Sequence, residues 1–417
     1  MMRCANLPKG LIMSELYELP NGWEWKKLDD FVTIKGGKRI PKGKKLSEIK
    51  TPYPYIRVTD FNDFGSVDLD SIQYVTEDIF KEIKNYIISD KDLYISIAGT
   101  IGKTGIIPKE LNGANLTENA AKLVFDNEKY DKYYLLYFTN SLPFLEQIGL
   151  ATKVVAMPKL ALVRLKEVYI PLPPLSEQQR IVSKLDLLFA KIDKSVELHQ
   201  KNMDEADVFM GSVLNEVFGE LEEKYGLNIL GDSTKTTSGG TPKRNEKSYW
   251  DGNIGWLKSG ELNDGYISGV EEYITEDGLK KSSAKIFPKG TLLIAMYGAT
   301  VGKLGILEIE TSTNQAICGI LNEQNRFVTK YMFYFLRKIR EKMLNDSFGG
   351  AQPNISQTYI KELELPLPPF PIQQKVVDYL DSVSEKMEIL KLVQNDKMKS
   401  LKALKASILD KAFRGEL

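Results

Sequence analysis

The chain holds one histidine, His199, and two cysteines, Cys4 and Cys318, in 417 residues. A single imidazole excludes any multi-histidine metal site and leaves one candidate base for a Ser-His-Asp triad. Two cysteines so far apart build no disulfide framework, which fits a reducing compartment and an expected cytoplasmic location. No apolar run approaches the roughly 18 residues of a membrane span, so no membrane partner is expected. An excess of either charge is missing too: 56 Lys plus Arg balance 56 Asp plus Glu. A nucleic-acid partner would have to be met by local charge, not by the chain as a whole. What is present, 42 % hydrophobic and 27 % charged residues, suits a soluble globular protein of two or three domains. Residues 1–13 lack a continuous apolar core and read as a disordered extension, with Met13 an equally good start.

Self-similarity is strong. The segment Ile170-Pro-Leu-Pro-Pro-Leu-Ser-Glu-Gln-Gln-Arg-Ile-Val recurs from Leu365 as Leu-Pro-Leu-Pro-Pro-Phe-Pro-Ile-Gln-Gln-Lys-Val-Val, a shift of 195 residues. The same shift relates Ser212-Val-Leu-Asn-Glu-Val-Phe to Ser407-Ile-Leu-Asp-Lys-Ala-Phe. Earlier in each half the match loosens: Ile101-Gly-Lys-Thr-Gly-Ile answers Val301-Gly-Lys-Leu-Gly-Ile at a shift of 200. The unit is a duplicated domain with a variable first part and a fixed last part.

The fixed part reads as helix. Prolines 171, 173 and 174 hold an extended entry, and Ser176 with Gln179 has capping-box spacing. An apolar seam in steps of three and four then runs from Val182 through Leu185, Phe189, Ile192, Val196, His199, Met203, Ala206, Met210 and Val213 to Val217. The span 176–218 predicts a helix about 60 Å long. A second helix, from about 372 to 413, carries Val376, Leu380, Val383, Met387 and Leu390, then Leu401, Leu404 and Ile408, with Gln394 and Lys397 interrupting it. The expected fold is α+β: two similar α/β-type globular domains separated by two long antiparallel helices, a coiled-coil spacer duplicated about a pseudo-twofold. The boundaries read as 14–174 for the first domain, 175–224 for the first helix, 225–369 for the second domain and 370–417 for the second helix. Under the 195 shift His199 faces Gln394, and the two are expected to meet and fix register.

The variable domains alternate short strands with turns and helices. Strands are predicted near residues 53–58, 92–97 and 122–125, and near 254–258, 291–296 and 316–321; helices are predicted at 130–145 and 329–344. Between residues 33 and 58 lie Lys35, Lys38, Arg39, Lys42, Lys44, Lys45, Lys50 and Arg57 against Glu48 alone, with Tyr53 and Tyr55 among them. Cations on loops interleaved with rings suit phosphate contact. The second copy is milder, with Lys235, Lys243, Arg244, Lys247 and Lys258 beside Tyr249, Trp250 and Trp256, and with Asp232, Glu246 and Asp251. Gly99-Thr-Ile-Gly-Lys-Thr is not a phosphate-binding P-loop, because Ile97 stands where the motif needs its first glycine. It reads as a glycine-rich turn presenting Lys103, matched by Lys303, either structural or phosphate-contacting. No dinucleotide fingerprint, zinc cluster or methyltransferase motif is found.

Two variable domains, each closed by a Pro-Leu-Pro-Pro-Leu-x-Glu-Gln-Gln-like signature opening a long helix, resemble the specificity subunit of type I restriction-modification systems. The resemblance spans the chain from Leu19 onward. The stretch Gly-Ala-Gln-Pro-Asn-Ile-Ser at residues 350–356 also resembles a recurring segment of that family, whereas Met157 and Lys159 stand in the first copy where Gln352 and Asn354 stand in the second. The resemblance implies a chain that is not an enzyme by itself. Each domain would be a target recognition domain reading half of a bipartite, asymmetric site in double-stranded DNA. The helices would set the gap and dock two methylation subunits, with restriction subunits added in the full complex. S-adenosylmethionine, ATP and magnesium would belong to those partners, and this chain would hold no cofactor or metal. Residues expected at DNA are Lys35, Lys38, Arg39, Lys42, Lys44, Tyr55, Arg57, Lys103 and Lys153 in the first domain, and Lys243, Arg244, Trp256, Lys258, Lys303, Gln352 and Asn354 in the second. Leu185, Phe189, Ile192, His199, Leu380, Met387, Gln394 and Leu401 are expected on the seam. The rival readings are a coiled-coil scaffold that holds proteins without reading DNA, and a phosphate-handling enzyme using the Gly-Lys turns.

Overall fold

The protein is described from a computed structural model over residues 16–62, 65–125, 129–149, 159–347 and 354–417. It divides into two compact units: residues up to Leu198 together with Asp396–Leu417, and His199–Asn395. The last stretch of chain therefore belongs with the first domain.

Each unit is mixed α and β, built on the same plan. In the first, strands Val32–Gly36, Ala120–Phe125, Leu93–Ser96 and Thr104–Ile106 lie side by side in that order, all antiparallel. A second small sheet places Pro54–Ile56 between Gln73–Tyr74 and Asn115–Leu116, the last pairing parallel. The second unit repeats both. Lys235–Ser238, Ile317–Leu321, Leu292–Ala295, Leu304–Leu307 and Gly265–Ile267 form one sheet, and Glu272–Ile274, Trp250–Leu257, Thr311–Thr313 and Ile286–Phe287 the other. Here too one central pair, Trp250–Leu257 with Thr311–Thr313, is parallel. The predicted helix at 130–145 is two, Lys132–Thr139 and Leu142–Gln147. The break falls at Asn140–Ser141, ahead of Pro143 in the first turn of the second helix, where proline's missing N–H costs nothing. Thr329–Lys338 and Arg340–Asn345 divide likewise at Ile339.

The two long helices run Leu175–Tyr225 and Phe370–Phe413. Their starts correct the expected capping box. Ser176 lies inside the first turn, and the Pro174 carbonyl accepts from the N–H groups of Glu177 and Gln178. In the second copy the Pro369 carbonyl accepts from Ile372 and Gln373. Pro371 replaces serine there without loss, since a first-turn residue has no intrahelical N–H bond to give up.

Within each unit the start of one long helix packs beside the end of the other, antiparallel. In the first unit Arg180 donates to the Leu417 carbonyl at 2.8 Å and Asp193 pairs with Lys405 at 2.8 Å. In the second His199 Nδ1 lies 2.5 Å from Gln394 Oε1, and Asp207 pairs with Lys391 at 2.5 Å. Leu185, Phe189, Ile192 and Leu380 are buried, while Met387, Gln394 and Leu401 are half-buried. Leu404 is the exception: 48 % exposed, it falls off the seam, and Leu409, Ala412 and Phe413 carry the packing at that end.

The fixed sequence frame does the same work twice. Gln178 and Gln373 are both 1 % exposed. Each side-chain oxygen accepts a backbone N–H from the domain, Asp131 or Val328, at 2.8 Å. Each amide donates back to the carbonyl of Pro173 or Pro368. Tyr134 and Tyr331 donate to the carbonyls of Pro171 and Pro366. Removing such an amide would leave a buried N–H unsatisfied, at about 1–3 kcal/mol.

Candidate nucleic-acid interface

In the first unit the basic stretch leaves its strand at Gly37. A Cβ there would come 2.1 Å from the Thr117 carbonyl oxygen, so the approach needs glycine. Lys38 N–H then bonds the Leu116 carbonyl. Tyr55, 3 % exposed, donates its hydroxyl to the Lys38 carbonyl at 2.8 Å. The second unit uses the same device with different residues. Gly239 approaches the Thr313 carbonyl, and Trp256, 1 % exposed, donates Nε1–H to the Gly240 carbonyl at 2.9 Å. Tyr55 and Trp256 were expected among the surface cations; both are core instead. Each ring is taken up by its own cluster and its one polar atom fixes the loop's first carbonyl.

Each basic loop is sorted by its carboxylates. Lys35, Lys38, Lys42, Lys45 and Lys50 are exposed, with the Lys38 ammonium 5.5 Å from the Tyr86 ring centre. Arg39 pairs with Glu118 at 2.5 Å and Lys44 with Asp78 at 2.5 Å. Burial pulls the Glu118 carboxyl upward, but the Arg39 hydrogen bond helps to outweigh it and the net shift is downward. Hydrogen bonds from Lys44 and then Thr76 hold Asp78 down to about 2. Arg57 is not a surface cation. Its guanidinium donates to Asp60, to Gln73 at 2.8 Å and to the Ser71 carbonyl at 2.7 Å, so it braces a turn. Lys103 is half-buried, its ammonium 3.5 Å from the Phe61 carbonyl.

In the second unit Lys243, Lys247 and Lys303 are exposed. Arg244 stacks on Trp250 at 4.0 Å and Trp256 at 4.6 Å and pairs with Glu272. Lys258 sits between Glu271 at 2.9 Å and Glu272 at 3.0 Å, and the hydrogen bonds to these two carboxylates raise its pKa. Both side chains are therefore tied within the domain. The Gly-Lys turns are real turns: Gly99 and Gly102 have φ of +75° and +87°, Gly298 and Gly302 +70° and +77°. Asn354 is exposed and its backbone bridges Tyr297. Lys153 and Gln352 lie outside the described residues.

Against this geometry, a family model described as the type I restriction modification DNA specificity domain matches the chain twice, over residues 20–202 and 227–399. The chain belongs to that family. Among its relatives, the MjaIX specificity subunit of Methanocaldococcus jannaschii is 33 % identical over 175 residues, 40 % of this chain and 40 % of that protein. The StySPI specificity subunit of Salmonella potsdam is 24 % identical over 428 aligned positions, 96 % of this chain and 90 % of that one. A chain solved in work on the complex assembly and conformational transition of the type I R-M system superposes with a TM-score of 0.75 at 20 % identity, covering 96 % of this chain and 100 % of that one. The specificity-family fold is thus present in duplicate. Sequence reasoning had missed the carboxylates that sort the cations, since Glu118, Asp78, Glu271 and Glu272 are remote from them along the chain.

Proposed function

We propose that each unit's globular part reads one half of a bipartite, asymmetric duplex DNA site. The long helices set the distance between the halves and dock two methylation subunits, to which restriction subunits are added. Adenine methylation with S-adenosylmethionine and ATP-driven cleavage belong to those partners; this chain contributes recognition. The observation that carries the reading is one scaffold present twice with divergent basic loops. The propping carbonyls, the buried aromatics and the helix frame recur, while the charged side chains on the loops do not. Two unlike readers on a common frame suit a site with unlike halves, and readout then rests on a few loop side chains.

The helices also present apolar side chains away from their seam. Val208, Phe209, Ile389 and Leu392 are each at least half exposed in the second unit, as is Leu187 in the first. Methylation subunits docked along the helices would cover these exposed side chains. Sequencing of DNA methylated by the assembled complex tests the proposal. Two short specific blocks separated by unspecified bases are expected. A continuous motif, or methylation with no sequence preference, would refute it.

A further inference from the structure

The turn Gly298–Lys303 in the second unit is held by a salt bridge that lies outside both basic stretches. Asp264 adopts φ of +62°, a left-handed conformation that a residue with a side chain takes up at a cost. Its N–H donates to the Leu304 carbonyl at 2.9 Å, and its Oδ1 accepts the Leu304 N–H at 3.0 Å. The residue following Lys303 is thereby held on both backbone groups. Arg340, the first residue of its helix, completes the grip. Nη1 donates to Asp264 Oδ2 at 3.0 Å, Nη2 donates to Oδ1, and Nε donates to the Gly302 carbonyl at 2.9 Å. One guanidinium thus binds the residue before Lys303 and, through Asp264, the residue after it. Gly302 lies against this side chain: a Cβ would come 3.1 Å from Arg340 Cγ. Lys303 itself is exposed and has no ion pair among the described residues.

Among the described residues, the matching turn of the first unit is flanked by neutral hydrogen-bonding groups. Thr104 and Thr139 hydroxyls meet at 2.8 Å, and Asn140 Nδ2 donates to Thr104 at 3.4 Å.

We infer that Asp264 and Arg340 are positioning residues that preset Lys303 for a DNA phosphate in the half-site read by the second unit. This rests on the DNA-reading function proposed above. A lysine is a point charge on a flexible stem. Fixing the backbone on both sides of it reduces what must be ordered on binding, which is how preorganisation raises affinity. Neither positioning residue needs to touch DNA, because the guanidinium and the carboxylate are committed to each other and to the turn.

The test is a double-mutant cycle on the full chain, using a duplex selected from a random pool by the wild-type protein. Lys303→Ala is expected to weaken binding and to reduce the slope of log affinity against log salt by about one. Arg340→Gln should reproduce that loss to within about twofold, and Arg340→Lys, which keeps charge but not the fork, should fall between. The double variant Lys303→Ala/Arg340→Gln should bind no more weakly than Lys303→Ala alone. Asp264→Asn, which keeps an acceptor for Leu304, carries the same cycle if Arg340→Gln does not fold. Additive losses, or unchanged affinity in both clamp variants, would overturn the inference. Unchanged affinity in Lys303→Ala would overturn it while leaving DNA reading intact. A wild-type chain that selects no duplex removes the function on which it rests.

Discussion

Replacing Phe413 by alanine, four residues from the C-terminus, should loosen the domain at the opposite end of the sequence. Phe413 is fully buried. Its ring packs edge-on against Tyr134 and Phe138, with centroids 5.2 Å away in each case. Its cluster also includes Ile181, Leu185, Leu409 and Ala412. Truncating a fully buried phenylalanine costs about 3–5 kcal/mol, the two aromatic contacts included. That is a large share of the roughly 5–15 kcal/mol stability of a domain. Since about 1.4 kcal/mol is tenfold, amide exchange in residues 130–148 and 169–185 should accelerate roughly 100- to 3000-fold wherever opening of this unit governs it. Phe218→Ala is the matched perturbation. Its ring lies 5.2 Å from Tyr331 and 5.5 Å from Phe335, so it should accelerate exchange in the second unit only. Hydrogen exchange read by mass spectrometry on the intact chain separates the two. If Phe413→Ala left residues 130–148 unchanged, or loosened both units alike, the division of the chain into units would be wrong.

Other outcomes follow from the same structure. Substituting Lys42, Lys45 and Lys50 together by alanine should lower the salt slope of DNA binding by up to about three, measured by filter binding; a substitution at Arg57 should instead lower stability, since its guanidinium braces a turn. The Asp78 carboxyl, held down to about 2, lies below its ordinary value. The Lys44–Asp78 tie therefore contributes above the unfolded pKa of about 4 and is lost as pH falls toward 2, which carbon-13 titration of Asp78 would show; an ordinary midpoint would contradict the tie. Burial pushes the Cys318 thiol up to about 12, so at neutral pH it stays protonated. In a Cys4→Ser background, a thiol reagent should label the chain only after unfolding, and prompt labelling of the native protein would show that Cys318 is accessible.

The frame was legible because it must repeat its geometry to do its work. Gln178 and Gln373, Tyr134 and Tyr331, and Phe218 and Phe413 fill equivalent places in the two units, and the shift of 195 brings the glutamines and phenylalanines of each copy together in register. The approach of His199 to Gln394 follows from that same shift. The loops were legible only as charge. Which cations are paired within the domain is decided by carboxylates that fold back from elsewhere: Glu118 onto Arg39, Asp78 onto Lys44, Glu272 onto Arg244 and Lys258. Nothing local in the sequence marks those pairings. Tyr55 and Trp256 show the same limit from the other side. They occupy equivalent places at a shift of 201 residues, but only the loop carbonyls they bond reveal that each is a prop and not a reader. The clamp of Asp264 and Arg340 joins residues 76 positions apart.

Under the proposed function, two readers on a helical spacer would make the gap between half-sites a matter of helix length. Inserting one heptad into each long helix, after Ser195 and after Asn395, lengthens the pair by about 10 Å, or about three base pairs of duplex at 3.4 Å each. The decisive measurement is the set of sequences methylated by a complex carrying that insertion. Both half-sites should stay as they were and the unspecified gap between them should grow by about three base pairs. An unchanged gap, or altered half-sites, would contradict the assignment of reading to the domains and spacing to the helices.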